Sequence, residues 1–156
     1  MLRVSTILPA GHKGAAPFDR VVLEHDERRL RRKVLRLSKG DEVMLDVRET
    51  TTLDHLGGLE LEDGRIVEVI AADEFLYEIR GRDAGHLLRL AWHIGNRHTP
   101  AQLEPGRILI KRDHVLKTML QGLGATVADV TEPFFAEHGA YAHAHADTGH
   151  ALLNRR

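Results

Sequence analysis

The chain has 156 residues, enough for one ordinary domain or two small ones, each with a workable core. Its 22 basic and 23 acidic residues leave a formal net charge of -1, which gives no electrostatic basis for binding nucleic acid or an anionic membrane. Cysteine is absent, which excludes disulfides, thiolate metal sites and a cysteine nucleophile; a metal site would use nitrogen and oxygen donors, favouring nickel, copper(II) or zinc.

No apolar run approaches the roughly 20 residues that span a bilayer. The opening stretch Met1 to Leu8 is too short for a signal peptide and lacks a cleavage site. A soluble cytoplasmic protein is therefore expected. In the first half, short apolar groups alternate with turn signals: Val21-Val22-Leu23, Val34 to Leu37, Val43-Met44-Leu45, Leu59 to Leu61 and Ile66 to Ile70. Between them stand Ser38-Lys39-Gly40-Asp41, Gly57-Gly58 and Glu62-Asp63-Gly64, the spacing of a small all-β unit. The basic run Arg28 to Lys33 is offset by Glu24, Asp26 and Glu27 and reads as a solvated face.

From Asp73 the pattern changes. Phe75, Tyr77 and Ile79 alternate with Glu74, Leu76 and Glu78, which suggests a strand. Asp83 then offers a cap for a helix over 83–96, with Leu87, Leu90, Ala91 and Ile94 at helical spacing and Gly95-Asn96 as the left-handed stop. An extended segment around Ala101 to Leu103, a Pro105-Gly106 turn and a strand through Ile108 and Ile110 follow. Asp113 caps a second helix whose apolar face is Leu116, Met119, Leu120 and Leu123 and whose stop is Gly124; Thr126 to Val130 closes as a strand. The order βαββαβ predicts a ferredoxin-like unit with both helices on one face of an antiparallel sheet, making the whole an α+β protein. The expected organisation is a β-rich domain over 1–72, a ferredoxin-like domain over 73–137 and a histidine-bearing tail over 138–156.

Signatures of catalysis are missing. Ser5 and Ser38 are not in a nucleophile elbow, there is no Walker A loop and no HExxH helix, and Gly122-Leu123-Gly124 ends a helix where a dinucleotide site needs glycines that open one. No enzyme is expected. Histidine carries the chemistry instead: three of the 11 lie in the first half and eight in the second. The tail holds His138, His143, His145 and His150 among small and polar residues, a composition suited to wrapping imidazoles around a borderline metal. His86 and His93 fall on a stripe away from the leucine face and read as solvated. His114, at the first turn of the second helix, is equally a candidate ligand and a capping-turn residue. His98 stands on a stiff corner between the helix stop and Pro100; taken alone it is an ordinary loop residue.

The segment Gly95-Asn96-Arg97-His98-Thr99-Pro100-Ala101-Gln102 resembles the GNRH-x-P-x-Q signature of the urease accessory protein E (UreE) family, the nickel metallochaperones of urease assembly. The resemblance continues through Asp113 to Leu116, Met119-Leu120, Pro133-Phe134 and Gly139-Ala140-Tyr141 into the tail, and the β-rich half is similar to the family's first domain. It implies a homodimer in which His98 of both subunits meets one Ni(II) near the two-fold axis, with transfer to a urease-assembly GTPase and the apo-urease complex. Tail ligands His143, His145 and His150 would join the pair, with Zn(II) or Cu(II) as competing ions. Some members carry a further histidine two positions before the one matching His114; here that position is Arg112, so the resemblance does not extend to an auxiliary site there. Two other functions compete with this reading: a general nickel, zinc or copper buffer, and a protein-interaction module gripping extended segments by strand addition.

Overall fold

A computed structural model describes residues 1–138 of the chain. They form two compact units, Met1–Ala72 and the chain from Asp73 onward. The protein is α+β: a strand-rich first unit precedes one with the order βαββαβ.

The first unit consists of β1 (Leu2–Leu8), β2 (Asp19–Leu23), β3 (Arg29–Arg36), β4 (Glu42–Thr52), β5 (Gly58–Leu61) and β6 (Ile66–Ala71). They join in one sheet of order β2-β6-β5-β1-β4-β3. β1 sits in its middle, parallel to β4 and antiparallel to β5, a strand that the turn-and-apolar spacing of the first half does not predict. Its signal was the alternation of Leu2 and Val4, which pack on the core, with Arg3 and Ser5. One core gathers residues from all six strands, so the sheet curls around a single apolar interior. The basic run is corrected in one respect. Arg31, Arg32 and Lys33 are exposed, but Arg28 is only 4% exposed, its guanidinium donating to the Leu23 carbonyl at 3.0 Å. Long aliphatic stems bury readily when the charged head finds an acceptor.

The second unit consists of β7 (Asp73–Arg80), α1 (Ala84–Asn96), β8 (Ala101–Glu104), β9 (Arg107–Lys111), α2 (His114–Gly122) and β10 (Thr126–Pro133). Their sheet has the order β10-β7-β9-β8, antiparallel throughout, which is the ferredoxin-like arrangement. Tyr77, Ile79, Ile108 and Ile110 meet Leu87, Leu90, Ile94, Leu116 and Leu120 in one core, so both helices cover the same face. Leu123 does not belong to that face: the helix ends before it, and it is exposed at the C-cap.

The opposite face is covered as well. Leu76 and Leu109 are buried there beneath Phe134, which is 0% exposed and belongs to the segment following β10. Beside them Arg107 gathers Glu78 at 3.0 Å, Glu104 at 3.0 Å and Glu132 at 2.6 Å. Glu132 first, then Glu104, hold this guanidinium even further above its already high ordinary value, so it is a permanent cation. Among the described residues no helix is long and apolar enough to cross a membrane.

Candidate metal centre

The corner carrying His98 is the end of α1. Asp83 starts that helix by accepting the His86 amide at 2.7 Å, and the apolar stripe Leu87, Leu90 and Ile94 ties it to the sheet. Gly95 and Asn96 do not stop it, contrary to the expectation from their types; both are helical and Arg97 is the C-cap. The His98 amide donates to the Gly95 carbonyl at 3.0 Å and the Thr99 amide donates to the Ile94 carbonyl at 3.4 Å. This pair of bonds is a Schellman motif, and it requires a left-handed residue just past the cap. That residue is His98, at φ +56. Glycine is the usual occupant, and a side chain there costs about 1–2 kcal/mol. His98 is exposed, so burial gives no compensating packing. A strained, exposed histidine is a reason to look for a ligand, since such conformations cluster where function requires them.

The remaining histidines separate into structural and open ones. His86 is not solvated, as its position on the helical wheel suggested: it is 8% exposed, its Nδ1 accepts the Arg82 amide at 3.0 Å and its Nε2 lies 2.8 Å from the Leu123 carbonyl. A backbone amide can only donate, so the ring is the neutral tautomer with its proton on Nε2. It braces the start of α1 against the end of α2. His93 is half-buried, its ring edge-on to Trp92 with centroids 5.1 Å apart. His114 is exposed at the first residue of α2, where Asp113 supplies the cap by accepting the Val115 and Leu116 amides. In the first unit, His12 Nδ1 accepts the Gly14 amide and His55 Nδ1 accepts the Ala71 amide.

The tail positions His143, His145 and His150 lie outside the described residues, and His138 is the last residue inside them, exposed. Among the described residues no three His, Asp or Glu side chains stand together as a ready metal site. Arg112 is engaged in the fold: it donates to the Leu76 and Val130 carbonyls and lies over the Phe75 ring.

One surface was missed by sequence reasoning. Leu88 and Trp92, one turn apart on α1, are 73% and 65% exposed. Gly85 lies on the same stripe, and beyond Trp92 it reaches Gly95, where an added Cβ would meet open space. The signal was legible: two large apolar residues at helical spacing off the core face. The stripe leads into the His98 corner.

Residues 4–72 match the family described as UreE urease accessory protein, N-terminal domain, and residues 74–154 match the same family's C-terminal domain. This chain belongs to the UreE family. The protein called urease accessory protein UreE in Rhizobium leguminosarum bv. trifolii is 53% identical over 155 residues, covering 97% of this chain and 80% of the relative. Its namesake in Agrobacterium fabrum is 53% identical over 150 residues, covering 96% and 92%. That of Mesorhizobium japonicum is 55% identical over 144 residues, covering 92% and 74%. In this UreE family member the signature residues divide their tasks. Gly95 and Asn96 complete the helix, His98 takes the left-handed position, and Gln102 lies on β8 facing the segment that follows β10.

Proposed function

We propose that this protein is a nickel carrier for urease maturation. In this reading a homodimer brings two His98 side chains to one Ni(II) ion, and His143, His145 or His150 complete its coordination. Membership of the UreE family supports the urease-assembly role at the coarser level. The observation that carries the finer reading is His98 itself, an exposed imidazole in a backbone conformation that glycine would adopt at lower cost. Imidazole suits nickel, copper and zinc, and a cysteine-free chain offers no competing thiolate.

The Leu88–Trp92 stripe is the surface on which two copies would meet. A two-fold contact through α1 converts one corner histidine per chain into two converging donors. The small residues at Gly85 and Gly95 allow the facing backbones to approach closely. A site with two fixed donors and tail donors exchanges its ligands stepwise, which suits transfer to a urease-assembly GTPase and apo-urease. His114, at the head of α2, would be an auxiliary donor at most.

Calorimetric titration with Ni(II) of the wild-type chain and His98→Ala is the direct test. Loss of the tightest step in the variant is expected; unchanged stoichiometry and affinity would sink the reading. Trp92→Glu is expected to shift the chain to a monomer by sedimentation and to remove the same step. Urease activity in cells lacking the protein, with and without added nickel, separates delivery from buffering. Full activity without the protein at ordinary nickel would rule delivery out.

A further inference from the structure

The two edges of the first sheet face one another without forming a ladder. β2 and β3 follow each other in sequence, yet the order β2-β6-β5-β1-β4-β3 puts them on opposite edges. The curl of the sheet joins those edges where the Ser38 amide, two residues past β3, donates to the Arg20 carbonyl of β2 at 2.9 Å. Lys39 locks that junction, its amide donating to Asp19 Oδ2 at 3.2 Å and its Nζ to the Phe18 carbonyl at 2.6 Å. The phase of β3 follows from these bonds. Ser38 turns its amide outward to β2, whereas the Leu37 amide turns inward to the Asp41 carbonyl at 2.7 Å. Successive residues of a strand point their backbone groups to alternate sides, so Leu35 faces β4 while Arg36 and Val34 face outward. Among the described residues no further strand takes those outward groups.

A free edge of this kind is a template for one more strand, and charged side chains often guard it. A guard can have either sign, but β3 has only one: five of its eight residues are basic, Arg29, Arg31, Arg32, Lys33 and Arg36, and none is acidic. Arg32 lies 3.8 Å from Asp46 and Lys33 lies 3.7 Å from Glu27. No carboxylate among the described residues pairs with the guanidinium of Arg31, Arg36 or, on the facing edge, Arg20. Val34 on this edge and Val22 on the facing one are 37% and 47% exposed, so apolar contacts stand between the charges. We propose that the outer edge of β3 docks an acidic segment in extended conformation, which joins the sheet as a further strand. Main-chain hydrogen bonds to Val34 and Arg36 hold it, and its carboxylates meet Arg31, Arg36 and Arg20. A nucleic acid matches the charge but not the ladder, which needs amides and carbonyls at the strand spacing. This contact needs no metal and lies within the first unit.

The test uses the full chain and fluorescent peptides of about six residues, one alternating glutamate with valine and one alternating lysine with valine. Anisotropy is expected to show binding of the glutamate peptide, weaker as salt is raised, and none of the lysine peptide. Arg31→Glu combined with Arg36→Glu is expected to weaken the complex by about tenfold. Hydrogen exchange at the Val34 and Arg36 amides should slow on binding, with Leu35 unchanged. N-methylating every amide of the glutamate peptide keeps its charge and removes its donors, and is expected to abolish binding. That arm uses the wild-type chain, so its outcome does not depend on how a variant folds. No binding of the glutamate peptide, equal binding of the lysine or methylated one, or an unaffected charge-reversed variant would overturn the proposal. So would slowed exchange at another edge in place of β3, or displacement of the peptide by a single-stranded RNA of equal charge.

Discussion

The two helices of the C-terminal unit end in the same way with different residues. After α1 the amides of His98 and Thr99 return to Gly95 and Ile94; after α2 the amides of Gly124 and Ala125 return to Gln121 and Leu120. The hydrogen-bond pattern is one motif used twice, and each copy needs a left-handed residue at the same place. The second copy uses glycine, at φ +88, and the first uses histidine, at φ +56. The fold thus shows within one domain that glycine solves the problem, and it departs from that solution where the side chain is exposed. The strain at His98 is a local cost of about 1–2 kcal/mol carried by an imidazole with no packing role. That difference is what supports the proposal that His98 serves a ligand and not the cap alone.

The comparison can be broken most sharply at Gly124. A Cβ there would come within 2.5 Å of the Arg82 guanidinium and 3.7 Å of His86 Cε1. The arginine end can move away, so the backbone dominates, and Gly124→Ala is expected to cost about 2 kcal/mol in urea unfolding. A loss no larger than an ordinary exposed substitution would show that the cap tolerates any residue, and the argument from His98 would lose its basis. The reciprocal change, His98→Gly, is expected to stabilise the chain by about 1 kcal/mol relative to His98→Ala while both lose the nickel step. Equal stabilities of the two variants would place no strain at position 98.

The smallest effect is a control away from both helix ends. The Arg80 guanidinium, hydrogen-bonded to Glu78, holds that carboxyl below its ordinary value, with Arg107 adding to the effect and burial opposing it. A lowered folded-state value gives stability that is complete above the ordinary glutamate range and is lost as pH falls through the lowered one. Acid unfolding of the wild type is therefore expected to steepen below that range, and Glu78→Gln to flatten the profile without moving the difference between His98→Gly and His98→Ala. A Glu78→Gln profile that overlays the wild type would remove this contribution.

What the sequence disclosed was mostly local. Asp83 and Asp113 were legible as caps because capping is settled within three residues, and the βαββαβ order followed from periodicity. His98 was singled out through its signature, but its conformation was assigned to its neighbours. Glycine and asparagine are the commonest left-handed residues, and nothing in the local pattern says that the helix runs through them. His86 was misplaced because its partner carbonyl, on Leu123, lies 37 residues away. Gln102 and Phe134 were legible only as parts of the family pattern, because their contacts join residues more than 20 positions apart. The tail histidines His143, His145 and His150 lie outside the described residues.

In the order in which the molecule is made, the segment after β10 follows every strand and helix of its unit. Synthesis proceeds from the N-terminus, and domains close as their parts emerge. The first unit is complete at Ala72, long before the second begins to fold. The second has both helices and all four strands by Pro133, yet one face of its sheet still lies open over Leu76 and Leu109 until Phe134 arrives. Its last apolar surface is sealed by nearly the final residue before the histidine tail. A nascent chain therefore presents the His98 corner before Phe134 has sealed the opposite face of its sheet.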